Sequence, residues 1–119
     1  MANPFVHVEL ATQDLDKSKK FYTGMFGWKL EEISGMDYTI IKVGEGTGGG
    51  MMKKPDPNIP DIWLPYILVD DVAASTKKAR ALGGTIVKEV TEVPNMGWFS
   101  VIKDPTGAAF GLWQLKMTQ

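Results

Sequence analysis

His7 and Glu9 are the side chains in this sequence best suited to chemistry, and they lie two residues apart. His7 is the only histidine, and the ordinary pKa of an imidazole lies close to neutrality, which suits acid–base work or metal binding. The surrounding run, Val6 to Leu10, is typical of a strand whose successive side chains alternate between two faces. His7 and Glu9 then share one face. We expect them to contact a ligand and, in an enzyme, to act as its base and acid.

Other roles for these two residues are open at this stage. His7 suits a structural role as a partly buried imidazole that is hydrogen bonded to Glu9, to a tyrosine or to the backbone. Metal ligation is a third role for His7. Glu9 is equally typical of a solvated or ion-paired carboxylate on a strand.

Composition excludes several classes of function. The 119-residue chain has no cysteine, which rules out disulfides, thiolate zinc sites and cysteine nucleophiles. Its net charge of -1 provides no broad field for nucleic acid or an anionic membrane. It has no N-terminal basic-then-apolar leader and no apolar run near the roughly 20 residues that cross a bilayer. We therefore expect a cytoplasmic protein without a nucleic-acid or membrane partner.

The strand that contains His7 belongs to a segment that occurs twice in the sequence. Residues 6–27 and 63–84 match when the first segment is shifted by 57 positions. The shift superposes similar residues: Asp14 on Asp71, Ser18 on Ser75 and Gly27 on Gly84. The same shift places His7 on Leu64. Such a repeat predicts that one supersecondary unit occurs twice.

The repeated unit is predicted to contain a strand, a helix and three further strands. Asp14 and Asp71 are each expected to cap a helix, because an aspartate accepts hydrogen bonds from amides of the first turn. Gly27, and Gly83 with Gly84, are expected to end those helices, with Gly27 in the left-handed conformation. The pattern predicts one domain with the order βαβββ twice. Its parts are a first module at about 4–52, a linker at about 53–61 and a second module at about 62–116.

Two motifs carry a family resemblance. The first is DLDKSKKFYTGMFGW at residues 14–28, and the second is DPTG at residues 104–107, followed by FGLWQ at residues 110–114. With the repeated βαβββ order, the chain resembles the vicinal oxygen chelate superfamily, which includes glyoxalase I, bleomycin resistance proteins and extradiol dioxygenases. The resemblance implies an α+β fold in which the two modules form a half-barrel cup.

The resemblance also implies a metal site that takes one ligand from the first strand and one from the fourth strand of each module. His7 matches the first-strand position of the first module, and Leu64 matches that of the second. The fourth-strand positions fall near Gly50 and on Gly111. Leucine and glycine side chains cannot bind a divalent ion, and a catalytic ion normally needs about three protein ligands. We therefore expect no metal centre and no other cofactor.

In the absence of a metal, the same strand faces would border a cup for an organic molecule. The glycines at positions 50 and 111 would leave room for such a molecule against aromatic walls. In the alternative, each aromatic ring belongs to the core between sheet and helices. The predicted ligand-binding residues are His7, Glu9, Leu64, Tyr66, Trp98, Gly111 and Trp113.

Three functions are consistent with these observations. The first is a glyoxalase- or bleomycin-resistance-like protein that binds a small organic molecule without the metal centre; as an enzyme it would be a lyase or isomerase. The second is a metal-dependent enzyme of the lactoylglutathione lyase or dioxygenase type. The third is a non-catalytic sequestration or interaction protein. Because exposed edge strands offer a pairing surface and family members pair their modules, we expect a homodimer.

Overall fold

The computed structural model describes residues 2–116, which form eight strands and two helices in the order βαβββ-βαβββ. The elements are β1 (Phe5–Thr12), α1 (Leu15–Met25), β2 (Lys29–Glu32), β3 (Thr39–Lys42), β4 (Gly49–Lys53), β5 (Ile62–Leu68), α2 (Val72–Ala81), β6 (Thr85–Val93), β7 (Gly97–Lys103) and β8 (Ala109–Leu115). The predicted α+β class and the two βαβββ modules are confirmed. None of the helices in this part of the chain is long and apolar enough to span a membrane.

The two helices begin in the same way. An Asp14 carboxylate oxygen accepts a hydrogen bond from the Lys17 amide at 3.0 Å, and Asp71 accepts one from the Ala74 amide at 3.0 Å. Each aspartate satisfies an amide that has no partner inside its helix. The caps fix where the chain turns from strand into helix in both copies of the repeat.

The helix ends differ, and the prediction for Gly27 is wrong. Gly83 takes a φ of 94°, and the Gly84 amide donates to the Ala79 carbonyl at 2.9 Å. Gly27 does not take a positive φ, and α1 instead ends at Met25, followed by the C-cap residue Phe26 in an extended conformation. The repeat explains the difference, because Gly27 matches Gly84 and Phe26 matches Gly83. A phenylalanine disfavours the left-handed conformation that Gly83 adopts.

Residues 7–64 form one compact unit, which we call the first unit. Its strands lie in the order β2-β3-β4-β1, with β1 and β4 parallel and the other pairs antiparallel. Glu9 lies opposite Gly50 in the parallel pair. Leu10, Ile41 and Met51 are buried together, and Tyr22 of α1 packs on them. This side of the strands is therefore the core side of the first unit.

Within the described residues, the second unit comprises residues 2–6 and 65–116. Its strands lie in the order β6-β7-β8-β5, with β5 and β8 parallel and Tyr66 opposite Gly111. Val72 of α2 is buried with Ile102 and Leu112. Thr76 and Ser100, whose hydroxyl oxygens lie 2.8 Å apart, satisfy each other within this core.

Candidate functional site

His7 and Glu9 lie on one face of β1, which we call the His7 face. Side chains alternate along a strand, and Leu10 points into the core of the first unit. His7 and Glu9 therefore point away from that core, and both are partly buried. The structure brings the two predicted acid–base residues together on one surface.

Tyr38, which the sequence did not single out, completes this surface. The phenol oxygen of Tyr38 lies 2.5 Å from Nε2 of His7. The two rings are stacked, with centroids 6.1 Å apart and planes 25° apart. Tyr38 directly precedes β3, whose Ile40 pairs with Gly50 of β4. Tyr38 and Ile40 share a face, so the strand register carries the phenol to the His7 face.

The phenol of Tyr38 fills the space next to Gly50. A Cβ atom added to Gly50 would lie 2.1 Å from the Tyr38 oxygen and 2.3 Å from its Cζ. Real Cβ atoms do not approach other atoms so closely, so no side chain fits at position 50 unless Tyr38 moves. In the first unit, a tyrosine occupies the space of the expected fourth-strand ligand.

Burial controls the charge of His7. Removal of the imidazole from water lowers the pKa of His7 below its ordinary value of 6.5. His7 is therefore neutral at physiological pH, with one ring nitrogen as donor and the other as acceptor. Depending on its tautomer, Nε2 of the neutral imidazole either accepts a hydrogen bond from the Tyr38 hydroxyl or donates one to the Tyr38 oxygen.

A second tyrosine covers the equivalent glycine of the second unit. Tyr66 is only 6% exposed, and a Cβ atom added to Gly111 would lie 2.3 Å from its ring. The Phe99 ring meets Tyr66 edge-on, with centroids 6.3 Å apart. The expectation that Gly50 and Gly111 leave open room beside them is wrong, because tyrosine rings occupy both spaces.

The remaining predicted ligand-binding residues divide between two faces. Trp113 lies over Gly97 of β7, where an added Cβ would approach its ring to 2.8 Å. Leu64 is buried, with 8% of its surface exposed. Trp98 packs on the core that contains Val72 of α2. Gly111 and Trp113 alternate with the core residue Leu112, so Trp98 lies on the face opposite to them.

The side chains at the family's ligand positions do not fit a divalent ion. His7 offers one imidazole, whose Nε2 is hydrogen bonded to Tyr38, whereas Leu64, Gly50 and Gly111 have no side-chain donor atom. Within residues 2–116, no three His, Cys, Asp or Glu side chains are grouped so as to hold a metal. The chemistry available on the His7 face is that of an imidazole, a phenol and a carboxylate.

Comparisons with known proteins place the chain in a family. The profile of the Glyoxalase/Bleomycin resistance protein/Dioxygenase superfamily matches residues 5–112. Putative glyoxylase CFP32 of Mycobacterium bovis is 36% identical over 87% of this chain and 41% of its own length. The probable lactoylglutathione lyase of Vibrio parahaemolyticus is 30% identical over 93% of this chain and 90% of its own.

A further protein and a crystal structure are also similar to this chain. The anthracycline biosynthesis protein DnrV of Streptomyces peucetius is 29% identical over 89% of this chain and 45% of its own length. The chain thus spans less than half the length of CFP32 and DnrV. The crystal structure of methylmalonyl-CoA epimerase from Mycobacterium tuberculosis matches with a TM-score of 0.68 and 21% identity, over 95% of this chain and 88% of that one. The chain belongs to the glyoxalase, bleomycin resistance protein and dioxygenase superfamily.

Proposed function

We propose that this chain binds a small organic molecule on the His7 face and does so without the metal ion of its superfamily. The proposal rests on one observation: the Tyr38 phenol fills the space beside Gly50 and is hydrogen bonded to His7. A metal ligand at position 50 would need that space.

The groups on the His7 face suit a ligand that carries a carbonyl or hydroxyl group. Tyr38 and neutral His7 can each donate or accept a hydrogen bond, and an ionised Glu9 accepts hydrogen bonds from a hydroxyl. The aromatic rings of His7 and Tyr38 add an apolar surface for the body of the molecule. A few polar groups set in an apolar surface are the usual composition of a small-molecule site.

Binding is better supported than turnover. In a proton transfer beside a carbonyl, His7 or Glu9 would take the proton from carbon, and negative charge would develop on the carbonyl oxygen. An electrophilic ion is the strongest stabiliser of such charge, whereas a phenol hydrogen bond from Tyr38 is a weaker one. If the protein is an enzyme, we expect a slow lyase or isomerase in which Tyr38 donates to the developing oxyanion.

A metal-dependent lyase is the second candidate. It is favoured by the name of the Vibrio relative, a probable lactoylglutathione lyase that matches over 90% of its length. This candidate requires donor atoms to replace those missing at positions 50, 64 and 111. The homodimer and the cytoplasmic location stay predictions.

A ligand screen by two-dimensional NMR tests the proposal. We expect compounds with a carbonyl or hydroxyl group to shift the His7 ring signals in a saturable way without added metal. His7→Ala should weaken binding within about tenfold, the value of one hydrogen bond, and Tyr38→Phe should act in the same direction. Acid–base turnover would instead fall about a hundredfold or more in His7→Ala. Lactoylglutathione lyase activity that appears only with added metal would overturn the proposal in favour of the second candidate.

A further inference from the structure

The outward side of α1 carries large apolar side chains that point away from the core of the first unit. Phe21 and Met25, one helical turn apart, are 59% and 58% exposed. Tyr22 packs on the core instead, and its ring holds Phe21 edge-on, with centroids 5.0 Å apart. Residues three or four positions apart are neighbours on a helix surface. The outer face of α1, as we define it, consists of Lys17, Lys20, Phe21, Gly24 and Met25.

The repeat shows that the fold itself does not require an aromatic ring on this face. The shift of 57 positions matches Phe21 with Lys78 of α2, and Lys78 is exposed. The equivalent helix of the second copy therefore carries a lysine where α1 has a phenylalanine. Adjoining exposed apolar side chains on a helix indicate an interaction surface rather than a need of the fold.

Gly24 leaves a gap in the middle of the outer face. A Cβ atom added to Gly24 would meet nothing within 4 Å, and Gly24 matches Ala81 in the second copy. The backbone of another helix can approach closely at such a position, and a large side chain of that helix can lie over the glycine. Phe21, three residues away, is a side chain of suitable size on the same face.

The charges of α1 favour a second α1 helix in the opposite direction. Lys17 and Lys20 form no ion pair with any residue from 2 to 116, whereas Lys19 is paired with Glu32 at 4.0 Å. The last turn of α1 has no basic residue, so no side chain there offsets the partial negative charge of the helix end. An antiparallel partner helix would bring its lysines to this end. A parallel one would place lysines beside lysines.

We propose that the outer face of α1 is the interface of a homodimer, in which two α1 helices pack antiparallel about a two-fold axis between Phe21 and Gly24. Phe21 of each copy then lies over Gly24 of the other, and both residues serve twice. The length of two relatives also favours a second domain of this size as the occupant: more than half of CFP32 and of DnrV lies outside the match. The inference names the surface of the expected homodimer and does not rest on the function proposed for the His7 face.

Sedimentation velocity over a series of micromolar concentrations tests the interface. We expect the wild-type chain to reach the mass of a dimer. Phe21→Lys introduces the residue of the second copy and should weaken association about a hundredfold or more, because each dimer loses two central rings. Leu82→Lys removes a side chain of α2 that is 70% exposed and should leave association unchanged.

Cysteine cross-linking tests the position of the axis. The natural chain has no cysteine, so an introduced one is its single thiol. Gly24→Cys lies close to the proposed axis and should form a disulfide-linked dimer under mild oxidation. Ala81→Cys, at the equivalent position of α2, should stay monomeric on a non-reducing gel.

Lys17→Glu tests the charge arrangement. The substitution places a carboxylate in the N-terminal half of its own helix, which favours that helix, and at the C-terminal end of the partner's helix, which weakens the dimer. We expect association to fall about fivefold at low salt and less at high salt. Urea unfolding of the variant shows whether the fold is retained.

Three outcomes overturn the proposal. A chain that is monomeric at every concentration has no such interface. A dimer that persists unchanged in Phe21→Lys uses another surface, such as an edge strand. Equal cross-linking of Gly24→Cys and Ala81→Cys would mean that the thiols meet by random collision rather than across a two-fold axis.

Discussion

In both copies of the βαβββ repeat, a tyrosine ring fills the space beside the glycine of the fourth strand, but the tyrosine comes from a different place in the repeat. In the first copy, Gly50 is covered by Tyr38, whose phenol reaches the glycine from the start of β3 and meets it with its oxygen. In the second copy, Gly111 is covered by Tyr66, which lies directly opposite it on β5 and meets it with the body of the ring. At both positions where the family resemblance implies a metal ligand, this chain has a glycine that is covered by a tyrosine.

The difference lies in what surrounds each tyrosine. Tyr38 is partly buried and hydrogen bonded to His7, next to Glu9. Tyr66 is the repeat equivalent of Glu9, and Leu64 is the equivalent of His7. Both Leu64 and Tyr66 are buried. The first copy therefore has partly buried polar groups that can contact a ligand, whereas the equivalent side chains of the second copy are buried.

The largest effect that we predict is a difference in stability between alanine substitutions of the two glycines. Gly111→Ala should lower the free energy of unfolding by about 3 kcal/mol, because the buried Tyr66 ring has little room to move. Gly50→Ala should cost about 1 kcal/mol, because the atom it meets is the far end of a partly exposed side chain. Urea unfolding measures both values. Gly24→Ala in α1, where the added atom meets nothing within 4 Å, is the control and should not destabilise. Equal losses at Gly50 and Gly111 would contradict the comparison.

A double-mutant cycle tests the contact between Tyr38 and Gly50 in the first copy. Once Tyr38→Ala has removed the ring, Gly50→Ala should cost nothing, which gives a coupling of about 1 kcal/mol between the two positions. The measurement is the same urea unfolding on four proteins. Additive losses would mean that the phenol does not occupy the space beside Gly50.

Tyr38→Phe tests the hydrogen bond alone, because the phenylalanine ring keeps the stacking on His7. We predict a loss of about 1 kcal/mol in unfolding free energy, the typical value of one hydrogen bond, and a shift of the His7 ring signals in the NMR spectrum. A variant with unchanged stability and unchanged His7 signals would show that the pair does not form.

The smallest predicted effect is a pH dependence that belongs to His7. Burial lowers the pKa of His7 in the folded state, so the unfolded chain takes up the proton first as the pH falls. Stability should therefore be full above pH 6.5 and decline as the pH falls from there through the lowered pKa. Substitution of His7 by Leu, the residue of the second copy, should remove this decline from urea titrations at pH 7.5 to 5. An unchanged decline in that variant would assign the pH dependence to other groups.

Much of the fold follows from the sequence because its signals are local. The aspartate caps at Asp14 and Asp71 work within four residues of chain, and the βαβββ order follows from the repeat. The same shift explains the error at Gly27: the glycine that takes the left-handed conformation is Gly83, and its equivalent in the first copy is Phe26.

The site was harder to predict because it depends on strand register. Tyr38 lies next to His7 because β3 pairs with β4 and β4 pairs with β1. The sequence separation between Tyr38 and His7 does not predict these pairings. Trp98 and Phe99 are adjacent aromatics on β7, and a one-residue change of register exchanges their faces. The structure places Phe99 beside Tyr66, and it places the partly buried Trp98 against the core that contains Val72 of α2.

The most direct test of the tyrosine-filled ligand positions is the metal content of the protein. The chain would be loaded separately with zinc, nickel, iron and manganese, desalted, and analysed by mass spectrometry for ions per chain. We predict much less than one ion per chain in every case, because the fourth-strand positions are glycines beneath tyrosine rings. One tightly held ion per chain that is lost in His7→Ala would contradict this and would support metal-dependent chemistry.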